Sequence, residues 1–195
     1  MELVRTIDIY CNKASIAVPF LDIKEIINIT TLPVYAQHVD YRQQGKGTGY
    51  IIPEELEQTG AVGSLLNHSE HKISFQQIKK TGERCNELGL KLIICTSTLK
   101  ETQSLIKFKP YAIAFEDSTL IASGKSITSS NSRKIKKFVS LFSNLDIIPL
   151  CGAGIITPED VKKSIYLGYK GVLVSSVVAN SPHPEKFLKD ISGLF

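Results

Sequence analysis

Ala61-Val62-Gly63-Ser64-Leu65-Leu66-Asn67-His68-Ser69-Glu70 is an apolar run that breaks into a cluster of polar, chemically capable side chains. Its first six residues have the composition of a strand buried on both faces, and a helical pattern beginning near Ser74 follows it. His68 therefore stands at the carboxyl end of a strand. In parallel α/β architectures ligands bind at that end, which gives His, Ser and a carboxylate there a functional reading beside the ordinary one of a solvated strand terminus.

The same alternation extends in both directions. Upstream, Ser15 to Phe20 is a short buried strand stopped by Pro19, Asp22 caps a helix to about Ile29, and Leu32 to Val39 is the next strand. Met1 to Asn12 fits a short helix. The Gly45-Lys46-Gly47-Thr48-Gly49 loop is too short and wrongly placed for a nucleotide-phosphate loop, and a turn or contact loop is the plainer reading. Pro53 to Gln58 is a short helix with proline in its first turn. Downstream, Ser74 to Leu88 is a helix ended by Gly89. Lys91 to Cys95 is a strand, Thr98 to Phe108 a helix, and Tyr111 to Phe115 a strand ending at Glu116. A polar segment, 117–131, then precedes a basic amphipathic helix over Ser132 to Leu145. Ile147 to Cys151 is a strand, Thr157 to Leu167 a helix, Gly171 to Val174 the last strand and Pro184 to Ile191 the closing helix. About seven buried strands alternating with helices predict an α/β fold, either a doubly wound sheet or a (β/α) barrel. No G-x-G-x-x-G opens a helix after the first strand, which weighs against a dinucleotide fold.

The 195 residues are 43% hydrophobic and 22% charged, enough apolar material for the core of one domain over 1–195. A net charge of +4, with Lys and Arg scattered, does not argue for nucleic acid. Cys11, Cys85, Cys95 and Cys151 lie far apart with no C-x-x-C spacing and no paired His, so reduced thiols in a cytoplasm are expected rather than a zinc site or disulfides. Glu2, Arg5 and Asp8 interrupt the amino-terminal stretch, which leaves no signal-peptide core, and no apolar run reaches the length of a membrane span.

Polar residues collect at several strand ends: Gln37 and His38; His68, Ser69 and Glu70; Glu116; Cys151-Gly152-Ala153-Gly154; and Ser175-Ser176. In a parallel barrel all of these ends share one mouth. The chain also resembles the triose-phosphate isomerase family in its shorter archaeal form. The matching text is Ala36-Gln37-His38-Val39-Asp40, Gly47-Thr48-Gly49, Leu66-Asn67-His68-Ser69-Glu70, Phe115-Glu116, Cys151-Gly152-Ala153-Gly154-Ile155 and Pro158-Glu159-Asp160-Val161, spread from about Ser15 to the carboxyl terminus.

That resemblance implies an incomplete TIM barrel of about seven parallel strands. The implied activity, one of glycolysis and gluconeogenesis, interconverts glyceraldehyde 3-phosphate and dihydroxyacetone phosphate through an enediolate. It implies His68 as the electrophile and Glu116 as the base, with Ser69 and Glu70 in support. The family is itself the standard illustration of such tuning, with a neutral imidazole and a lid that excludes water. It further implies a substrate-phosphate site from Ala122, Ser123 and Gly124 on a lid within 117–131, Gly152, Ala153 and Gly154, and Ser175 and Ser176. Thr48 becomes an inter-subunit contact in a homo-oligomer, dimer or tetramer. Neither a metal nor another cofactor is implied.

The departures from the family pattern set a further expectation. No Asn-x-Lys strand precedes Ser15, and Met1 to Asn12 is too short for a complete strand-helix unit, so it reads as the remnant of a first helix. Residues 117–124 lack the family's prolines after the Glu, His71 stands where an Arg follows Glu70, and Val174-Ser175-Ser176-Val177 is one residue short. Losing a cation that stabilises charge in a dry site costs on the order of 10²-fold in rate. Activity is therefore expected to be reduced or lost; the alternatives are an impaired relative kept as a phosphate-binding or assembly protein, and a different barrel enzyme acting on a phosphorylated small molecule.

Overall fold

The computed structural model describes residues 1–117, 126–127 and 132–194. Seven strands form one sheet: β1 (Ile16–Val18), β2 (Val34–Ala36), β3 (Gly63–Leu66), β4 (Lys91–Thr96), β5 (Ala112–Phe115), β6 (Ile148–Cys151) and β7 (Gly171–Val172). Their order in space is their order in the chain, and every ladder is parallel. Among the described residues β1 and β7 do not pair, so the sheet curls as a half-barrel that stays open.

The strands read as continuous apolar runs because both faces are covered. Val34, Ala36, Leu66, Leu92, Ile94, Ile113 and Phe115 pack outward in the main core. Their neighbours Tyr35, Leu65, Ile93, Cys95, Ala112 and Ala114 form a second cluster on the inner face. That period of two is what a pleated strand imposes. Gly63 opens β3 because nothing larger fits: a Cβ there would stand 1.8 Å from the Lys91 carbonyl oxygen.

Helices α1 (Glu2–Tyr10), α2 (Ile23–Ile27), α3 (Pro53–Gln58), α4 (Phe75–Glu87), α5 (Leu99–Leu105), α6 (Ser132–Ser140), α7 (Pro158–Tyr166), α8 (Ser176–Ala179) and α9 (Pro184–Ile191) complete the described elements. Helix starts follow their sequence signals. Ser74 and Gln77 form a reciprocal capping box at α4, and Thr157 and Asp160 do the same at α7, where Pro158 takes the first turn. The amino-terminal stretch is the expected helix, and Leu3, Ile7 and Tyr10 of α1 pack with Phe187, Leu188 and Ile191 of α9.

Several elements end sooner than the sequence predicts, β1 at Val18 and β2 at Ala36 among them, and for two the cause is visible. α6 stops at Ser140, and 3₁₀-like bonds from Leu141 and Phe142 back to Phe138 and Val139 tighten the chain so that Phe142 still reaches the core. β7 ends at Val172, where among the described residues no further strand offers a ladder, and the unforeseen single turn α8 follows. The 45–49 loop is the expected turn, with positive φ at Gly45 and Gly49. Its base is closed by a 2.7 Å bond from Asp40 N–H to Ile51 O and a 3.0 Å bond from Ile51 N–H to Asp40 Oδ2.

Candidate active site

The chain leaves β3 through Asn67, which adopts φ 59°, a left-handed conformation that asparagine tolerates better than most residues. Its buried amide fixes the bend. Nδ2 donates to Cys95 O (2.8 Å) and Glu101 Oε1 (2.9 Å), and Oδ1 accepts from Ile73 N–H (3.1 Å). A 2.9 Å bond from His71 N–H to His68 O then closes a turn over His68 to His71. The turn holds the His68 ring over the sheet and folds Lys72 back, so that Lys72 Nζ donates to Asn67 O at 2.9 Å.

His68 and Glu116 meet here although β4 separates their strands. His68 Nε2 lies 3.0 Å from Glu116 Oε1, with the imidazole 35% exposed and the carboxylate 3% exposed. Glu70 N–H, which can only donate, points at His68 Nδ1 from 3.4 Å. Nδ1 is thus the acceptor, and the proton belongs on Nε2, directed at the carboxylate. Ser69 Oγ stands 3.5 Å from the same Oε1. The Glu70 side chain extends into solvent, 89% exposed, with Oε2 3.8 Å from Nδ1.

Burial pushes the Glu116 carboxyl above its ordinary range, and the opposing pull of His68, Lys72, Ser69 N–H and the Cys95 thiol only partly offsets it. The space for this side chain is made by Gly152. A Cβ at that position would lie 2.9 Å from Glu116 Cγ and 3.1 Å from Phe115 O, while Gly152 N–H donates to that same carbonyl at 2.9 Å. Glycine at 152 is therefore a condition for where the carboxylate sits. Gly154 has φ 77° and its carbonyl accepts from Ile127 N–H at 2.8 Å. Asp160 braces the start of α7, receiving Ile156 N–H (3.0 Å), Thr157 N–H (2.8 Å) and Thr157 Oγ1 (2.9 Å) on Oδ2 and the Ser126 hydroxyl on Oδ1.

Beyond the carboxyl end of β7, Ser175 and Ser176 are exposed, and no described hydrogen bond joins them to the His68–Glu116 pair. Ala122, Ser123 and Gly124 lie outside the described residues. Thr48 is exposed on its loop. The His38 ring lies against that of His71, tilted by 33° with centroids 4.2 Å apart, and its Nε2 is 3.4 Å from Asp40 Oδ1. Asp117, next to the carboxylate, accepts from Lys134 Nζ at 2.9 Å. Among the described residues no cluster of His, Cys, Asp and Glu is disposed to hold a metal, and no described helix is long and apolar enough to cross a membrane.

Sequence reasoning missed three residues of this site: Asn67 as the bend that sets it, Lys72 and Cys95. Asn after an apolar run was a usable signal for the first, because Asn is among the few residues at ease with positive φ. Lys72 gave none, since it lies in a polar turn that any solvated lysine could occupy.

An imidazole N–H can polarise a carbonyl while a buried carboxylate of raised proton affinity beside it accepts a proton from the carbon next to that carbonyl. A family model described as triosephosphate isomerase matches residues 3–192. Curated relatives with that name include those of Sulfurisphaera tokodaii, 40% identical over 176 residues (90% of this chain, 77% of the relative), and Methanocaldococcus jannaschii, 34% identical over 178 residues (90% and 81%). That of Archaeoglobus fulgidus is 36% identical over 181 residues (92% and 81%).

Proposed function

The chain belongs to the triosephosphate isomerase family, and we propose that it interconverts glyceraldehyde 3-phosphate and dihydroxyacetone phosphate, with Glu116 as the base and His68 as the electrophile. Glu116 takes a proton from the carbon beside the carbonyl, and the His68 Nε2 proton stabilises the oxygen on which charge develops. His68 gives its Nε2 proton to that oxygen and takes the hydroxyl proton from the neighbouring oxygen, and Glu116 returns its proton to the former carbonyl carbon. The old carbonyl thus becomes the hydroxyl, the old hydroxyl becomes the carbonyl, and both side chains end as they began. The observation that carries this reading is the 3.0 Å contact between His68 Nε2 and a carboxylate that is 3% exposed. A base at that burial is partly stripped of water before substrate arrives, and the turn at Asn67 gives the imidazole its aim.

Ser69 and Glu70 hold the pair in place. In the Gly152 to Gly154 turn the Gly152 N–H is taken by Phe115 O, and the amides of Ala153 and Gly154, with those of Ser175 and Ser176 at the mouth of the sheet, receive the substrate phosphate. Turnover by these residues alone is slow, because among the described residues β1 and β7 do not pair and an open edge admits water. The same open edges favour self-association into a homo-oligomer. A coupled assay of purified protein on glyceraldehyde 3-phosphate, run beside Glu116→Gln, tests the reaction. Removing the base lowers kcat by about 10² to 10⁴-fold. Equal rates in the two proteins would sink the isomerase reading and leave a phosphate-binding or assembly role, for which a monomeric mass by light scattering would remove the assembly half.

A further inference from the structure

The two oxygens of Glu116 live in different surroundings. Oε1 faces the imidazole and the Ser69 hydroxyl. Oε2 is buried and meets no hydrogen-bond donor among the described residues. The ammonium of Lys72 faces it from 3.8 Å, a distance at which charge acts without a hydrogen bond. Lys72 is 39% exposed, yet its tip is held in place by the 2.9 Å bond to Asn67 O, the backbone carbonyl at the bend. One residue thus directs both partners: Asn67 turns the chain so that His68 reaches Oε1, and offers the carbonyl that holds Lys72 opposite Oε2.

We propose that Lys72 is a positioning residue of the site: anchored on Asn67, it holds the Glu116 carboxylate ionised and oriented between imidazole and ammonium. A buried carboxylate oxygen without a donor opposes its own ionisation, and a cation close by is what offsets that cost. The groups around it leave few substitutes. His68 and Lys72 come from the turn after β3 and the Cys95 thiol from β4; Gly152, just past β6, packs against Glu116 Cγ without a side chain, and the neighbouring Asp117 is engaged by Lys134. Of these, Lys72 brings the ammonium that faces Oε2. The kinetic part of this inference rests on the isomerase reading above; the ionisation part does not.

The test is a carboxyl-carbon NMR titration of protein labelled in its glutamates, with the Glu116 resonance identified by its loss in Glu116→Gln. In Lys72→Met the midpoint of that resonance moves to higher pH, and in Lys72→Arg, which keeps the charge, it stays near that of the unaltered protein. In the coupled assay, kcat/KM of Lys72→Met below the acid limb falls roughly tenfold while the plateau at higher pH changes by less than about threefold. Circular dichroism melts confirm that the variants fold, with Lys72→Gln as a second neutral replacement. A Glu116 midpoint unmoved in both neutral variants overturns the proposal, even with full isomerase activity. A midpoint that moves in a protein with no turnover at all supports Lys72 and refutes the isomerase reading.

Discussion

Gly152→Ala adds one methyl group, and the structure says where it goes. The new Cβ falls 2.9 Å from Glu116 Cγ and 3.1 Å from the Phe115 carbonyl oxygen, whereas carbon atoms in ordinary contact stand about 3.5–4.0 Å apart. Relief requires a movement of roughly 0.5–1 Å. Neither neighbour gives easily: Cγ is near the root of a buried side chain, and the carbonyl belongs to β5 and already accepts the Gly152 N–H. The Glu116 carboxylate moves away from His68, opening the 3.0 Å contact. Misplacing a reacting group by about 1 Å costs on the order of 10²-fold in rate, and overpacking of this kind destabilises by about 1–3 kcal/mol. Coupled-assay kcat/KM and urea melts measure the two effects separately. Gly171→Ala is the control, because its Cβ meets only the Leu150 Cδ2 tip, at 2.7 Å, a side-chain end that can rotate aside. Its rate stays within a few-fold of the parent. If Gly152→Ala retains full kcat/KM, or falls no further than Gly171→Ala, the claim that glycine at 152 sets the carboxylate's position is wrong.

Burial holds the Glu116 carboxyl above its ordinary range, so its ionisation opposes folding: no penalty applies below the unfolded-state value of about 4.3, and the full penalty applies once the pH exceeds the raised folded value. Glu116→Gln therefore raises Tm at pH 7 and leaves it unchanged near pH 3, and a Tm gain confined to acid would contradict this. Asp160 has the opposite sign. Burial pushes it up, but the bonds from Ser126, Thr157 and Ile156 outweigh burial and hold it below its usual range. Its stabilisation is present above the unfolded value of about 3.9 and is lost as pH falls through the depressed folded value. Asp160→Ala costs about 2–3 kcal/mol in urea melts at pH 7, and the gap to the parent narrows in acid. Asn67→Ala and Asn67→Gly both lose three hydrogen bonds of the Asn67 amide, but only alanine is strained at φ 59°. Alanine is the less stable by about 1 kcal/mol, and equal melts for the two would show that the bend is not strained.

The architecture was legible because its signals are local. Ser74 with Gln77 and Thr157 with Asp160 are cap pairs three residues apart, and Ala61 to Leu66 carries its burial in its composition. Placing His68 and Glu116 at strand ends required only that the strands be parallel and enter one sheet. The surroundings of the pair are different in kind. Asn67 reaches Cys95 and Glu101 across two elements, and Lys72 acquires its position from a turn geometry set by Asn67. Such contacts depend on register between distant segments, which no periodicity encodes. The basic helix over-ran to Leu145 in the sequence because its apolar spacing continues to Phe142, and a tighter turn uses the same spacing equally well.

The sheet's winding bears on how the chain is made. Each strand pairs with the one synthesised just before it, from the shortest step, Ile16 to Val34, to the longest, Ala112 to Ile148. Among the described residues no ladder waits for a distant segment to emerge from the ribosome. Growth can therefore proceed in one direction, each new strand-helix unit docking on a sheet that already exists and protecting the edge its predecessor left exposed. The closing entropy is spread over many small loops rather than concentrated in one large one. In such an order His68 and Glu116 can meet once β5 docks, and the carboxylate takes its final position when Gly152 follows with β6.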